Sequence, residues 1–153
     1  MDSSNILTIF QNEILVIAFI TWAIAQAVKP FIGYLITRQF DWHMFFSTGG
    51  MPSSHATLVT SVAIGVGLMV GWATPVFAVA ATLAMVVIYD AAGVRRQAGM
   101  HAKTINLLVQ EVLQGQPISE TELREVLGHT PIEVFGGILW ASVATFTMWY
   151  FWK

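Results

Sequence analysis

Cysteine is absent from this 153-residue chain, which excludes disulfides, thiol catalysis and thiolate metal sites. Charge is scarce: Asp, Glu, Lys and Arg make up 10% of residues, against roughly 25% in ordinary soluble domains. The net charge of −2 gives no general basis for binding nucleic acid. Residues 1–28 hold no Lys or Arg but do hold Asp2 and Glu13. A secretory signal needs a basic start, so this N-terminus reads as mature protein. Internal repeats and low-complexity tracts are also missing.

What the chain has in abundance is apolar length, with 56% of its residues hydrophobic. A membrane helix needs roughly 20 mostly apolar residues. The run from Ala56 to Tyr89 carries no charge and is too long for one span. Gly71-Trp72-Ala73-Thr74-Pro75 breaks it, with proline just inside the next element. Two antiparallel spans are expected, near 52–70 and 75–94. Val134–Trp152 gives a third, and Ile14–Val28 a fourth that continues through Lys29-Pro30 into FIGYLIT with a kink at Pro30. Between 97 and 130 the character changes to amphipathic, interfacial helices. Leu107, Leu108 and Val112 form one stripe there, and Leu123, Val126 and Leu127 another. Ser119 and Glu122 make a capping box for the second piece.

Threading these spans puts residues 29–55 and 90–131 at one membrane face. Trp72, Trp149, Tyr150 and Trp152 fall at the other, as an interfacial aromatic belt does. Six of the seven basic residues lie on the first face, which the positive-inside rule makes cytoplasmic.

That first face also gathers Lys29, Arg38, His55, Asp90, Arg95, Arg96, His129 and Glu133 from distant stretches. Charges near membrane depth are costly and signal function or ion pairing. The cations outnumber the carboxylates, as an oxyanion site requires. In GGMPSSH, Pro52 suits a first helical turn. The N–H groups of Ser53, Ser54 and His55 then point at an anion. The plainer alternative is that a serine caps the helix and His55 is a satisfied polar residue. In YDAAGVRRQAG, Arg95 and Arg96 are either phosphate ligands or membrane anchors. Asp90 reads as their ion-pair partner or that of Lys29, though a carboxylate also suits Mg²⁺. In LGHTPIEVFGG, Thr130 and Glu133 match a capping box. His129 and Glu133 are also four apart, a spacing that lets the carboxylate orient the imidazole as a nucleophile. His43 and His101 read as solvated. Four scattered histidines lack zinc-ligand spacing, so no metal site is expected.

The stretches AQAVKPF, GGMPSSHATLV, YDAAGVRRQAG and LGHTPIEVFGG together resemble the divergent type 2 phosphatidic acid phosphatase family, also described as acid phosphatase/vanadium-dependent haloperoxidase-related proteins. The resemblance covers nearly the whole chain, with four motifs in order. It implies an all-helical, metal-independent phosphatase working through a phosphohistidine. His129, paired with Glu133, matches the nucleophile, and His55 the histidine that protonates the leaving oxygen. Lys29, Arg38, Arg95 and Arg96 match the phosphate-gripping cations, and Ser53 the motif serine. Departures accompany it. Ser54 stands where Pro-Ser-Gly-His has glycine, Lys29 and Arg38 are widely spaced, and Gln39 replaces a proline. Glu133 replaces aspartate, and 97–128 is a long insertion.

The expectation is therefore an all-α, polytopic membrane helical bundle forming one domain over 1–153. It has about four transmembrane helices plus interfacial helices, in a multi-pass protein of the cell membrane. The expected activity is hydrolysis of a lipid or isoprenoid (di)phosphate, without a cofactor. A homo-oligomer is left open. The rival readings are a non-enzymatic binder of lipid phosphate and, ranked lower, a vanadate-dependent oxidant.

Overall fold

The structure, a computed structural model, describes residues 6–93 and 129–152, together with positions 97, 99–102, 104–106 and 108 between them. Four long helices organise it. Helix α1 covers Glu13–Thr37, α2 Ser54–Met69, α3 Pro75–Ala92 and α4 Pro131–Trp152. Short 3₁₀ turns at Ile6–Gln11 and Trp42–Phe45 flank α1.

Each boundary has a local cause. The Asn12 side chain accepts from Leu15 N–H at 3.1 Å and opens α1. Pro30 sits inside α1, which continues to Arg38, a left-handed C-cap at φ 60°. Thr74 caps α3 through the Phe77 N–H, with Pro75 in the first helical turn as the sequence suggests. The start of α2 differs from expectation. Pro52 lies before the helix, and Ser53 is the N-cap. Ser53 has the extended backbone usual at an N-cap, and its N–H donates to the Glu133 carbonyl at 2.9 Å.

Helix α2 is the centre of the bundle, packing on α1, α3 and α4, while α1 also meets α4. The interior is built from small and hydroxylated residues: Ala18, Ala25, Ala56, Ala63 and Ala141 with Thr21, Thr57, Ser61 and Thr145. Bulky side chains point outward, among them Phe19, Val79, Leu83, Phe135 and Phe146. Such an arrangement suits lipid. Tails are as apolar as leucine, so helices gain by close backbone approach rather than by hiding large side chains.

Helices α1, α3 and α4 are each long and apolar enough to cross a membrane. Helix α2 has 16 residues, and its length of about 24 Å is less than the hydrocarbon thickness of about 30 Å. The four expected apolar helices are thus present, three of them with spanning length. The interfacial helices expected between 97 and 130 lie largely outside the described residues. The capping box and apolar stripe of the second of them lie wholly outside.

The helix ends sort into two groups. Glu13, Leu68, Met69, Trp149 and Trp152 line one recess, which joins the start of α1 to the ends of α2 and α4. The opposite end holds the close of α1, the starts of α2 and α4, and the polar residues. That end carries aromatics of its own, a feature the sequence reading assigned only to the other face. Phe40 stacks edge-on against Phe31 and Trp42, and Trp42 and Phe46 are 72% and 92% exposed. Exposed rings at this level suit the headgroup layer.

Candidate functional site

The two histidines meet here. His129 precedes α4 and His55 sits in the first turn of α2, with ring centroids 5.8 Å apart and edge-on. His129 is only 2% exposed. Its Nδ1 lies 3.2 Å from Glu133 Oε2. The same carboxylate oxygen accepts from Thr130 N–H at 2.9 Å, and Thr130 Oγ1 accepts in return from Glu133 N–H at 3.4 Å. The structural and the functional reading of Glu133 therefore hold together. The capping box fixes the carboxylate, and the fixed carboxylate orients the imidazole. A neutral His129 that donates from Nδ1 carries its lone pair on Nε2.

The start of α2 is braced on α4 at the same place. Ser53 N–H donates to Glu133 O, Ser53 Oγ accepts from Ala56 N–H at 3.3 Å, and Thr57 Oγ1 lies 3.3 Å from Gly137 O. The backbones approach this closely because residue 137 is glycine. A Cβ there falls 2.6 Å from Ser53 O and 3.2 Å from Ser53 N, and backbone atoms have nowhere to move. At Gly136 the added atom meets only the flexible tip of Met51, at 2.9 Å. Gly137→Ala is expected to destabilise the fold by about 1–3 kcal/mol and to weaken vanadate binding, while Gly136→Ala does neither. Thermal unfolding and vanadate titration of both variants check this.

Gln26, a residue the sequence reading passed over, joins the site to the connecting loop. Its Nε2 donates to the carbonyls of Phe45 at 2.7 Å and Ser47 at 3.1 Å, and its Oε1 accepts from Ser54 Oγ. Lys29, one turn further along α1, is fully buried and donates from Nζ to Ser47 O at 3.0 Å. The Glu133 carboxylate lies within electrostatic reach of that ammonium. A signal for Gln26 did exist: a polar side chain three positions before Lys29, on the same face of an otherwise apolar helix.

Lys29, Ser53, Ser54, His55, His129 and Glu133 are thus gathered at one end of the bundle. Arg38 is not drawn in as closely. It is exposed, and nine residues beyond Lys29 on α1 means about 13 Å of helical rise. Asp90 is half-buried in the last turn of α3. Arg95 and Arg96 lie outside the described residues. His43 and His101 are exposed, as expected of solvated histidines. Among the described residues, no three of His, Cys, Asp and Glu gather as a metal site.

Fold and site together define a helical membrane protein with a histidine pair and a buried cation at one membrane face. The chain belongs to the Divergent PAP2 family, whose model matches residues 10–144. It is 42% identical over 138 residues to a protein of Bacillus subtilis (strain 168) named as the uncharacterized membrane protein YuiD, covering 83% of this chain and 87% of that one. No solved structure matches it.

Proposed function

We propose that this protein is a membrane phosphatase that hydrolyses a lipid or isoprenoid (di)phosphate through a phosphohistidine on His129. The observation that carries this reading is the pairing of His129 with Glu133 on Nδ1 and with His55 5.8 Å away. Phosphoryl transfer asks a protein mainly for positioning and charge neutralisation. In this reading Lys29, Arg95, Arg96 and the start of α2 at Ser54 hold the phosphoryl oxygens, with Arg38 further out. The Ser53 N–H, expected to face the anion, is instead taken by Glu133 O, which leaves Ser53 to position the helix start. His129 Nε2 attacks phosphorus, forming the N–P bond as the P–O bond to the leaving group breaks. His55 gives its proton to the departing oxygen. Water then attacks the phosphohistidine, releasing inorganic phosphate and restoring His129. Asp90 supports the arginines as an ion-pair partner. In this reading the site faces the cytoplasm, a side that the bias of basic residues toward this face supports.

The test is phosphate release by the purified protein from phosphatidic acid and from an isoprenyl diphosphate in mixed micelles. Release is expected to survive EDTA and to be accompanied by an acid-labile, alkali-stable phosphoprotein. Strict Mg²⁺ dependence removed by Asp90→Asn transfers Asp90 from ion pair to metal ligand and overturns the metal-independent mechanism. Vanadate binding with no release from any substrate favours the rival reading, a lipid-phosphate binder. The departures at Ser54 and Glu133 from the family pattern motivate that rival.

A further inference from the structure

A wholly apolar cavity of about 380 Å³ lies between α1 and α4, lined by Ala25, Val28 and Ile32 on one side and Gly136, Leu139 and Val143 on the other. Met51 and Pro52, which lead into Ser53, and Trp140 complete the lining. The lining is interleaved with the site in sequence. Val28 adjoins Lys29, Pro52 adjoins Ser53, and Gly136 lies three residues beyond Glu133. Both walls belong to helices that are apolar and long enough to span the bilayer.

We infer that this groove holds one hydrocarbon chain of the phosphorylated lipid, with the phosphate at the His55–His129 end. The assignment rests on the phosphatase reading for the identity of the headgroup, and on the groove's own chemistry for the chain. No polar group in the lining offers a partner to a headgroup, so only the apolar part of an amphiphile fits. The occupant's polar end must then leave past Met51 and Pro52, where the buried Lys29 and the start of α2 stand. A chain that enters from the bilayer leaves one apolar solvent for another, so the groove gains little from the hydrophobic effect. Its contribution is alignment: it fixes where the phosphorus sits relative to His129. Gly136 and Met51 set its width, because a side chain at 136 meets the Met51 tip.

The test uses two photoactivatable probes with the same long chain and a mid-chain diazirine. One ends in a monophosphate and the other in a neutral alcohol. The phosphate probe is expected to label Ile32, Leu139 or Val143, with labelling suppressed by vanadate and by Gly136→Leu. Equal labelling by the neutral probe makes the groove an ordinary lipid-facing surface and overturns the proposal. So does phosphate-dependent labelling confined to α3. On turnover, Gly136→Leu is expected to lower kcat/KM for a long-chain alkyl phosphate roughly 10–10²-fold, as misalignment does, while leaving a short-chain phosphate within about twofold. Equal losses on both chain lengths overturn the chain assignment. Phosphate-dependent labelling of the groove without turnover of any substrate retains the groove and removes the hydrolase reading, so the two ideas fail separately.

Discussion

Replacing His129 by alanine is expected to abolish phosphate release from every substrate, alkyl or aryl, with a loss on the order of 10⁴–10⁶-fold. A missing nucleophile cannot be rescued by a better leaving group, so the defect is uniform. The phosphoprotein is expected to disappear as well, even in single-turnover experiments at saturating substrate. Two comparisons separate chemistry from folding, because His129 is buried and braced by Glu133. His129→Gln keeps a polar side chain of similar reach near the carboxylate and is expected to fold, bind vanadate and remain inactive. Glu133→Gln keeps the capping geometry around Thr130 but removes the charge that favours an imidazolium-like transition state. It is expected to be slower than the native protein and faster than either His129 variant. Substantial turnover by His129→Gln, or an undiminished phosphoprotein, places the nucleophile elsewhere.

Much of this architecture was legible in the sequence, because membrane helices leave a signal that depends on composition alone. Uncharged runs gave the apolar helices, and the Thr74-Pro75 pair and the Thr130–Glu133 capping box marked two helix starts. The contact expected between His129 and Glu133, four positions apart, is present, but His129 lies ahead of the helix and the capping box at Thr130 is what turns the Glu133 carboxylate back onto it. The reading was weakest where position depends on segments distant in sequence. Nothing local shows that α2, rather than one of the longer helices, sits at the centre. That follows from its small residues only once α1, α3 and α4 are packed against them. Gln26 bridging Phe45, Ser47 and Ser54 is likewise a tertiary fact. Pro52 was expected inside the first turn of α2. Ser53 instead caps the helix, which starts at Ser54, two residues beyond Pro52, and its N–H bonds to Glu133 O, 80 positions away. The need for glycine at 137 is also a tertiary fact, set by the Ser53 backbone packed against it.

His55→Ala is expected to divide substrates by the acidity of their leaving groups. If His55 protonates the departing oxygen, its loss lowers the rate about 10²–10⁴-fold for an alkyl phosphate, the ordinary range for removing a general acid. For p-nitrophenyl phosphate the loss should shrink to a few-fold, because that leaving group departs as a stable anion and hardly needs a proton. The motivation is geometric. His55 sits in the first turn of α2, where the chain is pinned to α4 through Ser53, and its ring meets that of His129 edge-on at 5.8 Å. A group attached to phosphorus opposite the His129 attack can lie within its reach. Vanadate binding should persist in the variant, since Lys29 and the helix start remain in place. A second discriminator is pH. The alkyl-phosphate rate of the native protein should fall as His55 loses its proton, and this alkaline limb should vanish in His55→Ala. The p-nitrophenyl rate should show little of that limb in either protein. A merely structural histidine predicts something different: parallel losses on both substrates, a lower unfolding temperature and an unchanged pH profile. Equal losses with vanadate binding intact would remove the proton-donor role and leave MPSSH as an anion cradle at the mouth of α2.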